Sequence, residues 1–185
     1  MQTLTTTQNN TESLCEFCLI PLTKGLFAIV DKEDYEKLAA YKWHASESRN
    51  NFYAQRSCKG KTIKMHREII NVPEGFVCDH INHNTLDNRK CNLRICTARQ
   101  NALNQKPSDK GTSIYKGVSW HKGHKKWQAK IDYHKHWIHI GYFDYELDAA
   151  VSYDDMAIEL FGQFACLNFH YRPQVAKWMA ETYLI

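Results

Sequence analysis

Four polar residues near the middle of the chain have side chains that suit hydrolysis of a phosphate ester. Asp79 and Asn101 supply a carboxylate and an amide oxygen, which are hard ligands of the kind that Mg²⁺ or Mn²⁺ prefers. His80, when neutral, can accept a proton from water. Asn92 has a side-chain carbonyl that can fix the orientation of such an imidazole. A base beside a single metal ion is suited to metal-assisted cleavage of a phosphodiester.

Sequence patterns place these four residues on a strand, a loop, a second strand and a helix. Apolar residues predict the strands, and the Asn- and Asp-rich stretch between them predicts the loop. Thr97 and Gln100 have the spacing of a capping box, so we expect a helix that starts at Ala98 and ends before Pro107. The predicted ranges are 76–81 and 93–96 for the strands and 82–92 for the loop. These elements can bring the four residues to one small site.

The residues before this region predict a small α/β scaffold. A strand leads to Asp31, which is the expected N-cap of a helix. A hairpin is expected to follow, with Lys59 and Gly60 at its turn. The predicted ranges are 26–30 for the strand, 32–41 for the helix, and 52–56 with 62–66 for the hairpin.

The residues after Pro107 predict a linker, three short strands and an amphipathic helix. The strands are expected over 116–121, 127–133 and 137–142. The helix is expected over 145–161, and Gly162 is its stop signal. Residues at helical spacing form its expected buried face, namely Ala149, Ala150, Tyr153, Ala157 and Leu160.

The charge is unevenly distributed along the chain. Residues 59–143 carry 16 basic and 6 acidic side chains and eight of the ten histidines, whereas residues 144–185 carry 2 basic and 7 acidic ones. The basic block has the composition of a polyanion-binding surface, although a plain solvated surface is the alternative. No apolar run is long enough to cross a membrane, and the first residues do not have the pattern of a signal peptide. We therefore expect an intracellular, cytoplasmic protein without a membrane partner.

The seven cysteines are an odd number, which indicates thiols or ligands rather than a disulfide framework. Cys15 and Cys18 have the spacing of half a zinc site, but a second pair with the same spacing is absent from the sequence. Scattered buried thiols are the favoured interpretation, and a structural zinc ion is not expected.

The segment DHINHNTLDNRKCNLRICTARQN, which begins at Asp79, resembles the motif of HNH endonucleases of the phage and intron-homing kind. The upstream segments PLTKGLFAIVDKEDYEKLAAYKW and MHREII resemble the N-terminal part of those proteins. The resemblance implies a ββα-metal fold, with Asp79 and Asn101 as metal ligands and His80 as the general base. It also implies that Asn92 holds His80. His66 and His83 lie nearby without an assigned role.

The C-terminal segment resembles the plant Apetala-two/ethylene-response-factor DNA-binding domain. The similarity rests on the opening YKGV, on KW, on the turn IGYF, on the helix AAVSYD and on the closing NF, over residues 115–169. The family has a three-stranded antiparallel sheet packed on one helix, and the sheet lies in the major groove of duplex DNA. The expected DNA contacts of the whole chain are Arg89, Arg94, Lys116, Trp120, Lys125, Lys126, Trp127 and Lys130. For Trp127, core packing is the alternative.

Together, the patterns and resemblances predict an α+β protein. A ββα-metal nuclease unit with its N-terminal scaffold is followed by a small three-stranded sheet plus one helix. The predicted divisions are a tail over 1–14, the nuclease over 15–106, a linker over 107–114, the DNA-binding module over 115–170 and a tail over 171–185. The expected activity is Mg²⁺- or Mn²⁺-dependent cleavage of double-stranded DNA, with one strand nicked by each site of a monomer or dimer. A DNA-binding regulator with an inert nuclease domain is the alternative.

Overall fold

The computed structural model describes residues 16–48, 51–106 and 111–169, and it has an α+β architecture of small sheets and short helices. The predicted tails, and residues 107–110 of the predicted linker, lie outside this part of the chain. Contacts divide the protein into two compact units, Met1–Ile95 and Cys96–Ile185. Within the described ranges, every helix falls short of the length and apolarity that crossing a membrane requires.

The first unit contains two ribbons, a three-stranded sheet and two helices. Its strands are β1 (Phe17–Pro21), β2 (Phe27–Asp31), β3 (His44–Ser48), β4 (Asn51–Cys58), β5 (Lys61–Lys64) and β6 (Val77–His80), with β7 (Leu93–Cys96) ending at the division. Its helices are α1 (Lys32–Ala39) and α2 (Met65–Ile69). β1 pairs antiparallel with β2, β3, β4 and β5 form an antiparallel sheet in that order, and β6 pairs with β7.

One apolar cluster fixes the first unit. Alternate residues of β1 and β2 point inward, as expected for strands with one covered face, and they meet α1, α2 and β4. Trp43 adds a polar anchor, because its indole N–H donates to the carbonyl of Leu38 at 2.8 Å. The buried members are Ile20, Ala28, Val30, Leu38, Trp43, Ala54 and Met65.

The predicted hairpin turn is confirmed, but the strands around it differ from the prediction. Lys59 and Gly60 have φ values of 47° and 76°, which is the left-handed pair that a two-residue hairpin favours. The prediction of strand to residue 66 was wrong at its end, because the chain turns into α2 at Met65 and buries that side chain. β1 and β3 were not predicted, although each pairs antiparallel with a predicted strand, β2 and β4 respectively.

The second unit contains α3 (Ala98–Leu103), a three-stranded antiparallel sheet and α4 (Glu146–Phe161). The sheet has the order β10, β9, β8, and its strands are β8 (Val118–His121), β9 (Lys126–Tyr133) and β10 (His136–Phe143). α4 covers one face of this sheet. The predicted helical face is buried at Ala149, Ala150, Tyr153 and Ala157, and half-buried at Leu160.

The capping box is confirmed. Gln100 N–H donates to the Thr97 hydroxyl oxygen, and Thr97 N–H donates to the Gln100 side-chain oxygen at 2.9 Å. By contacts, α3 belongs with the C-terminal residues, so the division of the chain falls before α3 rather than after it.

Candidate functional site

β6 ends with Asp79 and His80, and both residues are buried in the first unit. Only 7% of Asp79 and 5% of His80 are exposed. Burial of two polar groups is costly unless they have hydrogen-bond partners, so their neighbours define what they can do.

The loop after β6 is held together by asparagine and aspartate side chains. The Asn92 oxygen accepts from the Asn82 N–H at 2.9 Å, and the Asn92 amide donates to the carbonyl of Asp87 at 2.7 Å. Both polar atoms of the Asn92 side chain therefore bind the backbone of the loop in this structure and shape it. The predicted role of Asn92 in holding His80 stays a prediction.

The same loop is fastened to the scaffold. Ile29 of β2 donates its N–H to the carbonyl of Leu86 and accepts the N–H of Asn88 at 2.7 Å. The buried Asp87 carboxylate receives two hydrogen bonds from the Arg89 guanidinium, at 2.8 and 2.7 Å. The Arg89 guanidinium is thus engaged within the loop in this structure, and its expected contact with phosphate stays a prediction.

Asn88 is the asparagine that faces the imidazole of His80. Its Oδ1 lies 3.4 Å from His80 Nε2, and its amide donates to the carbonyl of Leu86 at 3.1 Å. The second bond fixes which end of the Asn88 amide points to His80. An amide oxygen only accepts, so Nε2 carries the proton in this contact and the lone pair of the neutral ring is on Nδ1. The loop contains four asparagines with the same sequence signal, so spacing alone did not identify Asn88.

Two further aromatic rings surround His80. His66 of α2 stands edge-on to it at 5.1 Å between ring centroids, and Tyr53 of β4 lies at 6.3 Å. Burial lowers the pKa of His80, against the opposing effects of the Asn88 hydrogen bond and the charge of Asp79. His80 is therefore neutral at neutral pH, which is the form that can accept a proton.

Asp79 forms an ion pair with Arg94 of β7. The Nε and Nη2 atoms of Arg94 both donate to Asp79 Oδ2, at 2.9 and 2.6 Å. Both side chains are largely buried, at 11% and 8% exposure. Arg94 thus neutralises the Asp79 carboxylate in this structure, and the expected contact of Arg94 with DNA stays a prediction.

The donor chemistry of the predicted metal ligands fits a hard divalent ion. Asp79 and Asn101 offer oxygen atoms only, which suits an ion that retains several waters. No cluster of three or more His, Cys, Asp or Glu side chains suited to a metal occurs among the described residues. Cys15 lies outside them, and Cys18 is a half-buried thiol on β1.

Asn101 lies on α3, in the second unit, and is half-buried. Its backbone N–H donates to the carbonyl of Thr97 at 3.0 Å, so the capping box sets its place on the first turn of the helix. The structure thus assigns Asp79 and His80 to one unit and Asn101 to the other.

The outer face of the three-stranded sheet is polar and aromatic. Ala129 and Ile131 of β9 are buried under α4, so their neighbours Gln128 and Lys130 point to the opposite face. The Lys130 ammonium lies 4.6 Å from the ring centre of Trp137, which is 64% exposed. Tyr142 is packed among three histidine rings on the same sheet and its first turn, namely His121, His124 and His139.

Several of these residues were missed by sequence reasoning. Trp137 and His139 alternate with Ile138 and Ile140 in β10, and this period of two was the signal that could have identified them as outward-facing. His139 is directly opposite Lys130 in the register of the sheet.

The predicted DNA contacts in the second unit differ in their exposure and in their partners. Lys125 is exposed in the turn, and the half-buried Lys126 pairs with Asp144 at 3.1 Å. Trp120 is 39% exposed and packs edge-on against Trp127, whose ring joins the apolar cluster under α4. The core-packing alternative for Trp127 therefore agrees with the structure.

Lys116 binds backbone oxygens within the second unit. Its ammonium donates to the carbonyl oxygens of Leu103 and Gln105, at 2.6 and 2.7 Å. Burial lowers its pKa. The expected DNA contact of Lys116 stays a prediction, and in this structure its ammonium is bound to Leu103 of α3 and to Gln105 just beyond the helix.

Comparison with known proteins agrees with a nuclease site in this region. The sequence profile of the HNH endonuclease family matches residues 71–103, which contain the β6–β7 pair, its loop and α3. The chain is 31% identical over 174 residues to an uncharacterized HNH endonuclease of Acanthamoeba polyphaga mimivirus, covering 88% of both proteins. It is also 35% identical over 60 residues to protein 3.8 of Escherichia phage T7, covering 32% of this chain and 50% of that protein.

The chain therefore belongs to the HNH endonucleases. Its substrate is DNA, as membership of this family implies, and nucleases of the family generally use divalent metal ions.

Proposed function

We propose that this HNH endonuclease is a divalent-metal-dependent enzyme that nicks duplex DNA, with His80 as its general base. The observation that supports this most directly is the environment of His80. The ring is buried beside Asp79 at the end of β6, it is held by Asn88, and its pKa is lowered by burial. A base in this state is deprotonated at neutral pH and fixed in direction.

In the proposed reaction, His80 takes a proton from a water molecule as the water oxygen attacks phosphorus. The new phosphorus–oxygen bond forms in line with the bond to the 3′-oxygen, which breaks. The departing 3′-oxygen receives a proton from solvent, so the products are a 5′-phosphate and a 3′-hydroxyl. Asp79 and Asn101 would hold one Mg²⁺ or Mn²⁺, which supplies positive charge for the phosphate and the leaving oxygen. One such site cleaves one strand.

Arg94 affects this site through Asp79. Its guanidinium occupies Asp79 Oδ2, so it competes with a cation for that oxygen and also holds the carboxylate in place. Binding of the metal ion would need Arg94 to shift from Oδ2 or to share the carboxylate.

We further propose that the second unit holds the DNA through the outer face of its sheet, in the manner of the Apetala-two/ethylene-response-factor domain that it resembles. Lys130 and Lys126 supply positive charge, and Trp137 and Tyr142 supply flat surfaces for sugars or bases. A cleavage site in the first part of the chain and a DNA-binding sheet in the second unit would give a homing-type nuclease its preference for a particular duplex site.

The test is cleavage of a supercoiled plasmid that carries the DNA flanking the protein's own gene, with Mg²⁺, Mn²⁺ or EDTA. Open circles should form only with metal, and His80→Ala should reduce the rate by about 10²- to 10⁴-fold. His44→Ala, on β3 and outside the site, is the matched control and should keep the native rate. Metal-independent nicking, or full activity of His80→Ala, would contradict the proposal.

A plasmid that is bound but uncut under every condition would favour the alternative, a DNA-binding regulator with an inert nuclease site. Binding itself is measured by fluorescence anisotropy at salt concentrations between about 50 and 200 mM. Lys130→Met should flatten the dependence of log affinity on log salt by about 0.9 for the one lost phosphate contact. An unchanged slope would remove the sheet face from the proposal.

A further inference from the structure

The helix that carries Asn101 is held in the second unit by very little apolar packing. α3 has six residues, and none of them is fully buried. A helix of this length is not stable in isolation, so its position depends on contacts at its ends. Its N-terminal end is closed by its own capping box, which leaves the C-terminal end to be fixed by other residues.

Lys116 fixes this end. Its ammonium donates to the carbonyl oxygens of Leu103 and Gln105, at 2.6 and 2.7 Å. The last carbonyls of a helix have no partners within the helix, and a cation is favoured there by the helix dipole. The long, half-buried side chain is thereby committed to α3.

The main chain of Lys116 is fixed at the same time. Its N–H donates to the Asn168 side-chain oxygen at 2.6 Å, and its carbonyl accepts from the Asn168 amide at 3.2 Å. The backbone N–H of Asn168 in turn donates to the fully buried carboxylate of Asp154 on α4, at 2.8 Å. A continuous set of hydrogen bonds therefore runs from α4 through Asn168 and Lys116 to the end of α3.

The remaining contacts of α3 with the sheet are sparse. Arg99 lies 3.2 Å from the Nδ1 atom of His134, at an exposed position. α3 also contacts the 3-10 turn Gly162–Phe164. A cavity of about 640 Å³ adjoins the helix and is lined by Ala102 and Leu103 of α3 and by Lys116, Trp137 and Tyr153. The two hydrogen bonds of Lys116 therefore hold the C-terminal end of α3 beside a space that side chains do not fill.

We propose that Lys116 is a positioning residue for the cleavage reaction. It joins α3, and with it Asn101, to the same module whose sheet is proposed to hold DNA. This inference rests on the proposed function for the role of Asn101, but the attachment itself does not. Loss of the Lys116 ammonium should loosen α3 and lower the rate of cleavage at saturating DNA, while the affinity for DNA stays unchanged.

The test compares Lys116→Met and Lys116→Arg with Lys37→Met. Lys37 is the matched control, because it is an exposed lysine whose ammonium also contacts a backbone carbonyl, that of Glu68, at 3.4 Å in the first unit. Three quantities are measured for each protein: hydrogen exchange of the α3 amides, the salt slope of DNA binding, and the single-turnover nicking rate at saturating DNA.

For Lys116→Met we expect α3 amide exchange to accelerate on the order of tenfold or more. The nicking rate should fall on the order of 10- to 100-fold, since misplacing a metal ligand is costly, with the salt slope unchanged. Lys116→Arg keeps the cation and should restore part of both losses, and Lys37→Met should match the native protein. Arg99→Met, at an exposed site, should also accelerate α3 exchange and serves if Lys116→Met does not fold.

Unchanged α3 exchange in Lys116→Met would overturn the proposal. A flattened salt slope in that variant would also overturn it, because Lys116 would then be a phosphate contact. The native protein could also fail to cleave DNA while Lys116→Met still shows faster α3 exchange. That result would support the attachment of α3 by Lys116 and would contradict the proposed nuclease function, on which the predicted effect on cleavage depends.

Discussion

The imidazole of His66 stands edge-on to that of His80, with an interplanar angle of 84° and 5.1 Å between the ring centroids. His66 is 6% exposed, and burial, followed by the charge of His80, lowers its pKa to about 3. The candidate base is thus packed against a second histidine that stays neutral across the working range of pH. The rings of His66 and Tyr53 together form an aromatic surface against which the imidazole of His80 packs.

This burial predicts that the protein loses stability in acid. His66 has a pKa near 6.5 when unfolded, so between that pH and about 3 the unfolded chain binds a proton that the folded chain does not. The free energy of unfolding should therefore fall as the pH is lowered, by up to ~1.4 kcal/mol per pH unit from this group. His66→Phe keeps an aromatic ring but cannot be protonated. Urea unfolding at a series of pH values from 7 to ~4 should show a shallower loss for the variant. Equal pH slopes in the two proteins would contradict this account.

The contact between Asn88 and His80 predicts a shift in the pH dependence of cleavage. Asn88→Asp places a carboxylate beside the imidazole, which favours the charged form and raises the pKa of His80. The neutral base is then lost at a higher pH, so the acidic limb of the pH–rate profile should move upward. Cleavage by the variant at neutral pH should fall and recover as the pH is raised.

The matched control for this change is Asn84→Asp. Asn84 belongs to the same loop, is exposed, and accepts a hydrogen bond from the Leu86 N–H rather than from His80. Its variant adds the same charge to the same loop and should leave the profile unchanged. Equal shifts in both variants would mean that general loop charge, and not the Asn88 contact, sets the pKa of His80.

Local signals in the sequence predicted the elements of the fold better than they predicted individual contacts. The capping box of Thr97 and Gln100 depends on residues three apart, so it was visible without the fold. The buried face of α4 was visible for the same reason, because its spacing is that of a single helix.

Contacts between distant residues were not visible in the same way. Lys116 was expected on phosphate because it belongs to the basic sheet segment that resembles a DNA-binding domain. Only the fold brings its ammonium to the carbonyls of Leu103 and Gln105. In the loop after β6, Asn88 and Asn92 are equivalent by type, and the bonds of the loop to Ile29 decide which of them faces His80. Type and motif thus predicted the candidate site residues, whereas their hydrogen-bond partners were visible only in the tertiary structure.

The ion pair of Arg89 with Asp87 predicts a structural rather than a DNA-binding role for this arginine. Asp87 is 2% exposed, and Arg89 lowers its pKa through their hydrogen bonds. Arg89→Met leaves that carboxylate buried without its cation, which should lower the free energy of unfolding by about 2 kcal/mol. The cost is smaller than that of breaking a fully buried ion pair, because Arg89 is partly exposed.

Urea unfolding and the salt dependence of DNA binding distinguish the two roles of Arg89. The variant should be less stable and should keep the native salt slope. Asp87→Asn combined with Arg89→Met should cost less than the sum of the two single changes, because the pair acts as a unit. A flattened slope with native stability would restore Arg89 as a phosphate contact.

Gly117→Ala is a small substitution that should strongly lower the stability of the second unit. Its φ is +75°, and a Cβ at this position would lie 2.0 Å from the Tyr153 ring and 2.7 Å from the Lys130 carbonyl oxygen. Tyr153 is 4% exposed and packs with Ile131 and Ala157, so moving its ring would disrupt that cluster. The Lys130 N–H is also bonded to the Gly117 carbonyl at 2.9 Å. Gly117→Ala should lower the free energy of unfolding by about 3 kcal/mol or more, since it combines backbone strain with overpacking.

Gly75→Ala distinguishes backbone strain from overpacking as the cause of the lost stability. Gly75 has a similar φ of +83°, but a Cβ there would meet no heavy atom within 4 Å. This variant should therefore lose only the ~1 kcal/mol that a left-handed backbone costs an alanine. Thermal unfolding should show a much larger decrease in Tm for Gly117→Ala than for Gly75→Ala. Gly117→Ala should also lose DNA binding, because Gly117 precedes β8 and its backbone is bonded to β9. Equal decreases in the two variants would show that the Tyr153 ring yields, and that close packing at Gly117 does not hold the sheet on α4.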